Sequence, residues 1–166
     1  MEVVEAYPYG QRVVPDEEVI HQELPALDVL NGLGEYYYGL KNLFRKSDRI
    51  EKSRKTGKIR RVYRDDILLA TLSPSSYILI PHNLAKEIHS KTKNWRVVID
   101  DEAIPFIKEH KNAFAKFVLE ADPDIRPGME VMLVDKKGSL IGHGTALMAA
   151  REMLEMRRGV AVNTRK

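Results

Sequence analysis

Apolar positions along the first part of the chain recur at helical spacing. Leu27, Leu30, Leu33, Tyr37, Leu40 and Phe44 fall on one face and predict a single amphipathic helix over about 26–45. Gly32, Gly34 and Gly39 make it an intrinsically poor helix, which implies close packing or a kink. The period then changes to that of strands. "RIEKSRKT" and "GKIRRVYRD" flank a hairpin turn at Thr56-Gly57, and "ILLATLSP" and "SYILIP" continue the meander through Ser73-Pro74-Ser75. Pro81 opens a second helix, "PHNLAKEIHSK", and "TKN" at 92–94 is the best boundary between two small domains, 1–93 and 94–166.

The second half reads as short strands interrupted by small helices: "WRVVI", then an Asp-capped helix "DDEAIPFIKEH", strands "AFAKFVLEA", "MEVMLVD" and "SLIGHGTAL", a helix "AAREMLEMRR" over 149–158, and a last strand "GVAVNTR". Asp135-Lys136-Lys137-Gly138 forms a tight turn. Many short strands and two small helices in about 70 residues predict a compact, partly open β-barrel. The predicted fold class is α+β, a helix-plus-antiparallel-sheet domain followed by a β pseudo-barrel. The first 25 residues, with Pro8, Pro15 and Pro25, read as an irregular or short-stranded lead-in.

Charge changes this picture more than composition does. The chain has 166 residues and a net charge of +3, but the charge is polarised. Residues 1–44 carry eight acids against Arg12 and Lys41, whereas residues 45–64 carry ten Lys and Arg against Asp48 and Glu51. Such a density of cations suits a polyanion surface, because each Lys or Arg beside a phosphate releases condensed counterions. It equally suits a solvated hairpin whose charges protect a sheet edge.

Several chemistries drop out. With no cysteine there are no disulfides, thiolate nucleophiles or Cys-based zinc sites. No apolar run approaches the ~20 residues of a membrane helix, and "MEVVEAYPYGQ" has neither a basic start nor an apolar signal core, so a cytoplasmic protein without membrane partners is expected. His21, His82, His89, His110 and His143 are scattered without metal-ligand spacing, and neither a metal nor another cofactor is expected. Asp100-Asp101-Glu102 opens a helix, where carboxylates favour the cap amides and the dipole over acid–base work. "GLGEYYYG" has the wrong spacing for a dinucleotide loop and follows no strand.

The sequence "RVVIDDEAIPFIKEHKNAFAKFVLEADPDIRPGMEVMLVDKKGSLIGHGTALMAAREMLEMRRGVAV" resembles a PUA domain, an RNA-binding module of pseudouridine synthases and archaeosine transglycosylases. The carriers are "IRPGMEVMLVD", "IGHGTA" and the closing "RRGVAV". Two positions depart from the family. "KEHKNAF" sets His110 and Lys111 where a glycine is usual, and Met129 stands where an acid is usual. Ahead of it, "LGEYYYGLKNLF" and "IEKSRKTGKIRRVYRDDILLATLSPSSYILIP" resemble the domain that precedes the PUA module in archaeal tRNA-guanine transglycosylases, and "AYPYGQRVVP" is similar to their linker.

The resemblance implies tRNA docking without chemistry. Those enzymes exchange a guanine of the tRNA D arm on a (β/α)₈ barrel with paired aspartates and a Cys-rich zinc site; such a barrel needs ~250 residues. The expected partners are structured RNA, above all tRNA, and a separate catalytic tRNA-modification subunit. The expected RNA-binding residues are Lys52, Arg54, Lys55, Lys58, Arg60 and Arg61 on the hairpin, with Lys108, Lys111, Asn112, Lys116, Arg151, Arg157, Arg158 and Arg165 on the PUA half. A ribosome-assembly or translation factor acting on rRNA remains open, as does an enzyme with a site between the two domains.

Overall fold

A computed structural model describes residues 25–73 and 79–166. The lead-in, the linker-like stretch, His21 and most of the Ser73-Pro74-Ser75 turn lie outside them. Helix α1 (Ala26–Tyr38) is shorter than the spacing predicts. Gly39 closes it in the left-handed conformation at φ 67°, a position at which glycine carries no steric cost. The following turn folds back because the Asn31 side chain binds the Phe44 backbone twice, donating to its carbonyl at 3.2 Å and accepting from its amide at 2.8 Å. That return buries Leu43 and Phe44, and Leu43 packs where a β-carbon on Gly34 would sit.

Strands β1 (Arg49–Lys52), β2 (Ile59–Arg64), β3 (Ile67–Leu72) and β4 (Leu79–Pro81) form the predicted antiparallel meander in sequence order. Helix α2 (Leu84–Lys91) begins after Pro81, which ends β4 and does not open the helix. Leu30, Tyr38, Val62, Leu79 and Ile88 make the core of this half.

A six-stranded sheet follows. Its strands are β5 (Arg96–Ile99), β6 (Ala113–Phe114), β7 (Val118–Ala121), β8 (Glu130–Val134), β9 (Leu140–Ala146) and β10 (Val160–Thr164), ordered β6-β10-β9-β8-β5-β7. Among the described strands only β5 and β8 pair in parallel. The expected strand over 113–121 is broken by a 3₁₀ turn at Ala115–Phe117. The expected Asp-capped helix is a 3₁₀ turn at Asp101–Ala103 running into α3 (Ile104–Lys108), and the Asp100 carboxylate does accept the Glu102 amide at 3.0 Å. Helix α4 (Ala150–Glu155) stops before Arg157 and Arg158, which therefore belong to a loop and not to a helix C-terminus. Gly144 is dictated by close approach, since a β-carbon there would stand 2.3 Å from the Asn163 carbonyl oxygen of β10.

The two halves share a strand. Every residue of β8 is buried; Val131 and Leu133 enter the second core, while Met132 enters the first. Trp95, at the junction with φ 61°, packs on both cores, and Asp122 accepts its amide hydrogen at 2.7 Å. The seam is also tied by polar contacts. Arg96 donates to the carbonyls of His89 and Thr92 at 2.7 and 2.8 Å, and His89 Nε2 meets the Gly138 carbonyl at 2.7 Å.

Candidate nucleic-acid interface

Two surface regions gather the predicted cations. The first is the hairpin of β1 and β2. Its turn is held by the Ser53 amide on the Lys58 carbonyl and the Gly57 amide on the Ser53 carbonyl, both at 2.8 Å, with Gly57 at φ 68°. Strict alternation would send either Ile59 or Val62 outward, yet both are buried. The register explains it: Glu51 faces Arg61 and Lys52 faces Ile59, so Arg60 is the extra residue of a bulge. A bulge re-aims the flanking side chains. It lets Arg60 and Arg61 leave the core together while Ile59 and Val62 enter it.

An open groove of about 650 Å³ results, lined by Lys52, Arg54, Arg60, Arg61, Glu51 and Thr71 among others. Lys52, Arg54, Lys55 and Arg60 form no ion pair among the described residues, whereas Arg61 meets Glu51 at 3.2 Å. Arg64 differs from the other cations of the basic run. Its side chain is only 15% exposed, binding both Asp48 oxygens at 2.8 Å and Glu87 at 2.9 Å. Burial would raise the Asp48 pKa, but the Arg64 bonds and the Arg45 amide outweigh it and hold the carboxyl below its ordinary range. Glu87 is likewise lowered: burial opposes the shift, and Lys91 and Arg64 prevail.

The second region lies where the loop after α3 meets the loop after α4. Lys111, Asn112, Lys116, Arg157 and Arg158 surround a cavity of about 510 Å³ whose walls include Phe106, Phe114 and Phe117. Phe106 and Phe114 are 49% and 45% exposed, a large apolar area to leave in water. Lys111 Nζ stands 5.4 Å from the Phe106 ring centre and Lys116 Nζ 4.5 Å from that of Phe117. His110, in place of the usual glycine, adopts the left-handed backbone at φ 61° and so keeps the turn. Gly128 stays at φ 91° beside Met129.

Lys58, Lys108 and Arg151 are exposed but line neither cavity, and Arg151 pairs with Glu155 at 2.7 Å. Arg165 turns inward. Its guanidinium binds both oxygens of Glu130, at 2.6 and 3.0 Å, and Thr145 at 2.9 Å, which pins β10 to β8 and β9. The three phenylalanines were missed in the sequence. Their signal was the spacing "PF…F..F" between the cations, which charge counting passes over.

Two of the three carboxylates at 100–102 are engaged. Asp100 and Asp101 meet Lys136 at 3.1 and 3.0 Å, and the Glu102 amide and Lys136 hold Asp100 below its usual range. Among the described residues no three His, Asp or Glu side chains stand close enough to hold a metal ion, and no helix is long and apolar enough to cross a membrane.

Comparison with known proteins matches two adjoining stretches of the chain to two families. Residues 35–94 match the patch-forming domain C2 of tRNA-guanine transglycosylase, and residues 95–166 match the PUA domain. The chain is 38% identical over 146 residues to the tRNA-guanine(15) transglycosylase of Methanothermobacter thermautotrophicus, covering 84% of this chain and 22% of that protein. It is 35% identical over 166 residues to that of Pyrococcus abyssi, covering 96% and 28%. The chain thus spans 22% and 28% of the length of these two relatives. Solved structures that share its fold include a hypothetical protein from Pyrococcus horikoshii (TM-score 0.63, 23% identity, 84% of this chain and 87% of that one) and a conserved PUA domain protein from Thermoplasma acidophilum (0.60, 20%, 83% and 85%).

Proposed function

The chain joins a patch-forming C2 domain of the tRNA-guanine transglycosylase type to a PUA domain, and from that premise we propose that it docks structured RNA, tRNA above all, for a guanine-exchanging modification enzyme. It performs no chemistry itself; the exchange belongs to a catalytic unit beyond these two domains. The observation that carries the reading is the cavity of exposed phenylalanines ringed by Lys111, Lys116, Arg157 and Arg158. Aromatic faces stack unpaired bases and the surrounding cations take the adjoining phosphates. The bulged hairpin supplies a second, purely electrostatic hold on an RNA helix, through Lys52, Arg54, Lys55 and Arg60. Asp48, Asp100 and Glu130, already bonded to cations or amides, support a docking role over acid–base catalysis.

Gel shifts with total tRNA across a salt series test this. Tight binding that weakens steeply between about 50 and 200 mM salt is the expected result. Absent or salt-insensitive binding to tRNA overturns the reading, and selective binding of rRNA fragments redirects it to a ribosomal role.

A further inference from the structure

A third cavity, of about 390 Å³, lies on the seam between the halves and is not among the predicted contacts. The first half contributes His82, Asn83 and Lys86, and the second contributes Ile141, His143 and Lys166. The two imidazoles meet edge to face with centres 6.3 Å apart. Thr71 Oγ1 fixes His82 through Nε2 at 3.0 Å, while His143 Nδ1 is buried with no hydrogen-bond partner. An orphaned buried nitrogen is costly and calls for a partner.

The charge of the cavity comes from its lysines. Burial pushes the His143 pKa down to about 4 and lowers that of His82, so both rings are neutral at physiological pH. Lys86 and Lys166 are exposed and form no ion pair among the described residues. Glu130 is the carboxylate nearest in effect to both rings, and its oxygens are already taken by Arg165 and Thr145. Two cations beside two neutral imidazole rings line one small space and suit a tetrahedral, oxygen-rich anion. Adjoining residues link it to the phenylalanine cavity: His110, next to Lys111, contacts the Arg165 carbonyl at 3.0 Å, and Arg165 precedes Lys166.

We propose that this seam groove seats a backbone phosphate of the RNA that the phenylalanine cavity holds, bridging the two domains. The inference rests on the RNA-docking reading above. A phosphate held by Lys86 on one side and Lys166 on the other makes RNA affinity depend on how the domains are set against each other.

The test uses the full chain and a Lys86→Gln, Lys166→Gln variant, with melting curves as the folding control. The variant is expected to bind tRNA about tenfold more weakly at 0.1 M salt, with a salt slope lower by about 1. In the unaltered chain, tRNA should move the ring NMR signals of His82 and His143. Firm tRNA binding with unmoved rings and an unchanged slope overturns the groove and spares the docking reading. Rings that respond to inorganic phosphate alone, with tRNA affinity unaffected by the variant, make it a free-phosphate site and also overturn the bridge. If the unaltered chain binds no tRNA, both proposals fall together.

Discussion

The basic hairpin and the phenylalanine cavity are both cationic, but they are built differently. The hairpin spends its apolar residues inward: Ile59 and Val62 are buried, and its outer surface is charge. The cavity does the reverse, leaving Phe106 and Phe114 half in water with lysines and arginines at the rim. Charge alone attracts any phosphate chain and carries no preference for what lies between phosphates. Exposed rings add a contact that only a splayed base can satisfy. On the proposed docking reading the hairpin grips and the cavity discriminates, and salt is the variable that separates them.

The largest effect should come from neutralising the hairpin. Replacing Lys52, Arg54, Lys55 and Arg60 by Gln removes up to four phosphate contacts. The salt slope for tRNA should fall by about 4, and affinity at 0.1 M salt by several thousandfold, on the order of 0.9 decade per contact. These side chains make no ion pair among the described residues, so the melting temperature should stay nearly constant. A slope that barely moves would mean that the hairpin is a solvated edge and that the cavity alone holds RNA.

How far the sequence showed this contrast depends on which physics was local. The hairpin, its turn at Gly57 and the packing of β3 on β2 follow from strand pattern and turn chemistry and are present, but the bulge at Arg60 that buries both Ile59 and Val62 departs from alternation. The helix end at Gly39 was hidden because Leu40 and Phe44 continue the helical spacing, while the Asn31 contacts that fold the chain back span 13 residues. Arg64 looked like its neighbours because its partners, Asp48 and Glu87, lie 16 and 23 residues away. Lys116, Arg157 and Arg158 were named through family resemblance, yet the rings they surround were not, since an exposed phenylalanine looks like core in one dimension.

Arg64 sharpens the comparison from inside the basic run. Arg64→Met leaves Asp48, whose side chain is 0% exposed, as a buried unpaired carboxylate, and should cost about 3 kcal/mol of stability at neutral pH. Its pH dependence carries the sign. In the unaltered chain the pKa values of Asp48 and Glu87 are depressed, so the stability they contribute is present above about pH 4 and is lost as pH falls through their folded values. In the variant, Asp48 loses its main lowering partner, burial raises its pKa, and protonation relieves the penalty. The stability deficit should therefore shrink as the pH drops below neutrality, as read by denaturant midpoints across pH. A deficit constant with pH would show that Arg64 acts through packing.

The smallest expected effect is the one that tests discrimination. Phe114 sits in the two-residue strand β6, paired with Val160 of β10, and nearly half of its surface faces the cavity and solvent. Truncating so exposed a ring removes little core, so Phe114→Ala should melt close to the unaltered chain. If a base stacks there, tRNA affinity falls by about 1–3 kcal/mol. The salt slope should not change, because no cation is lost. That combination, weaker binding on a parallel salt line, is what the hairpin variant cannot produce. The loss should also vanish for a fully paired RNA duplex, which offers no base to stack, while the hairpin variant should weaken both RNAs alike. Equal losses on tRNA and duplex would make the cavity another electrostatic surface and dissolve the distinction between the two regions.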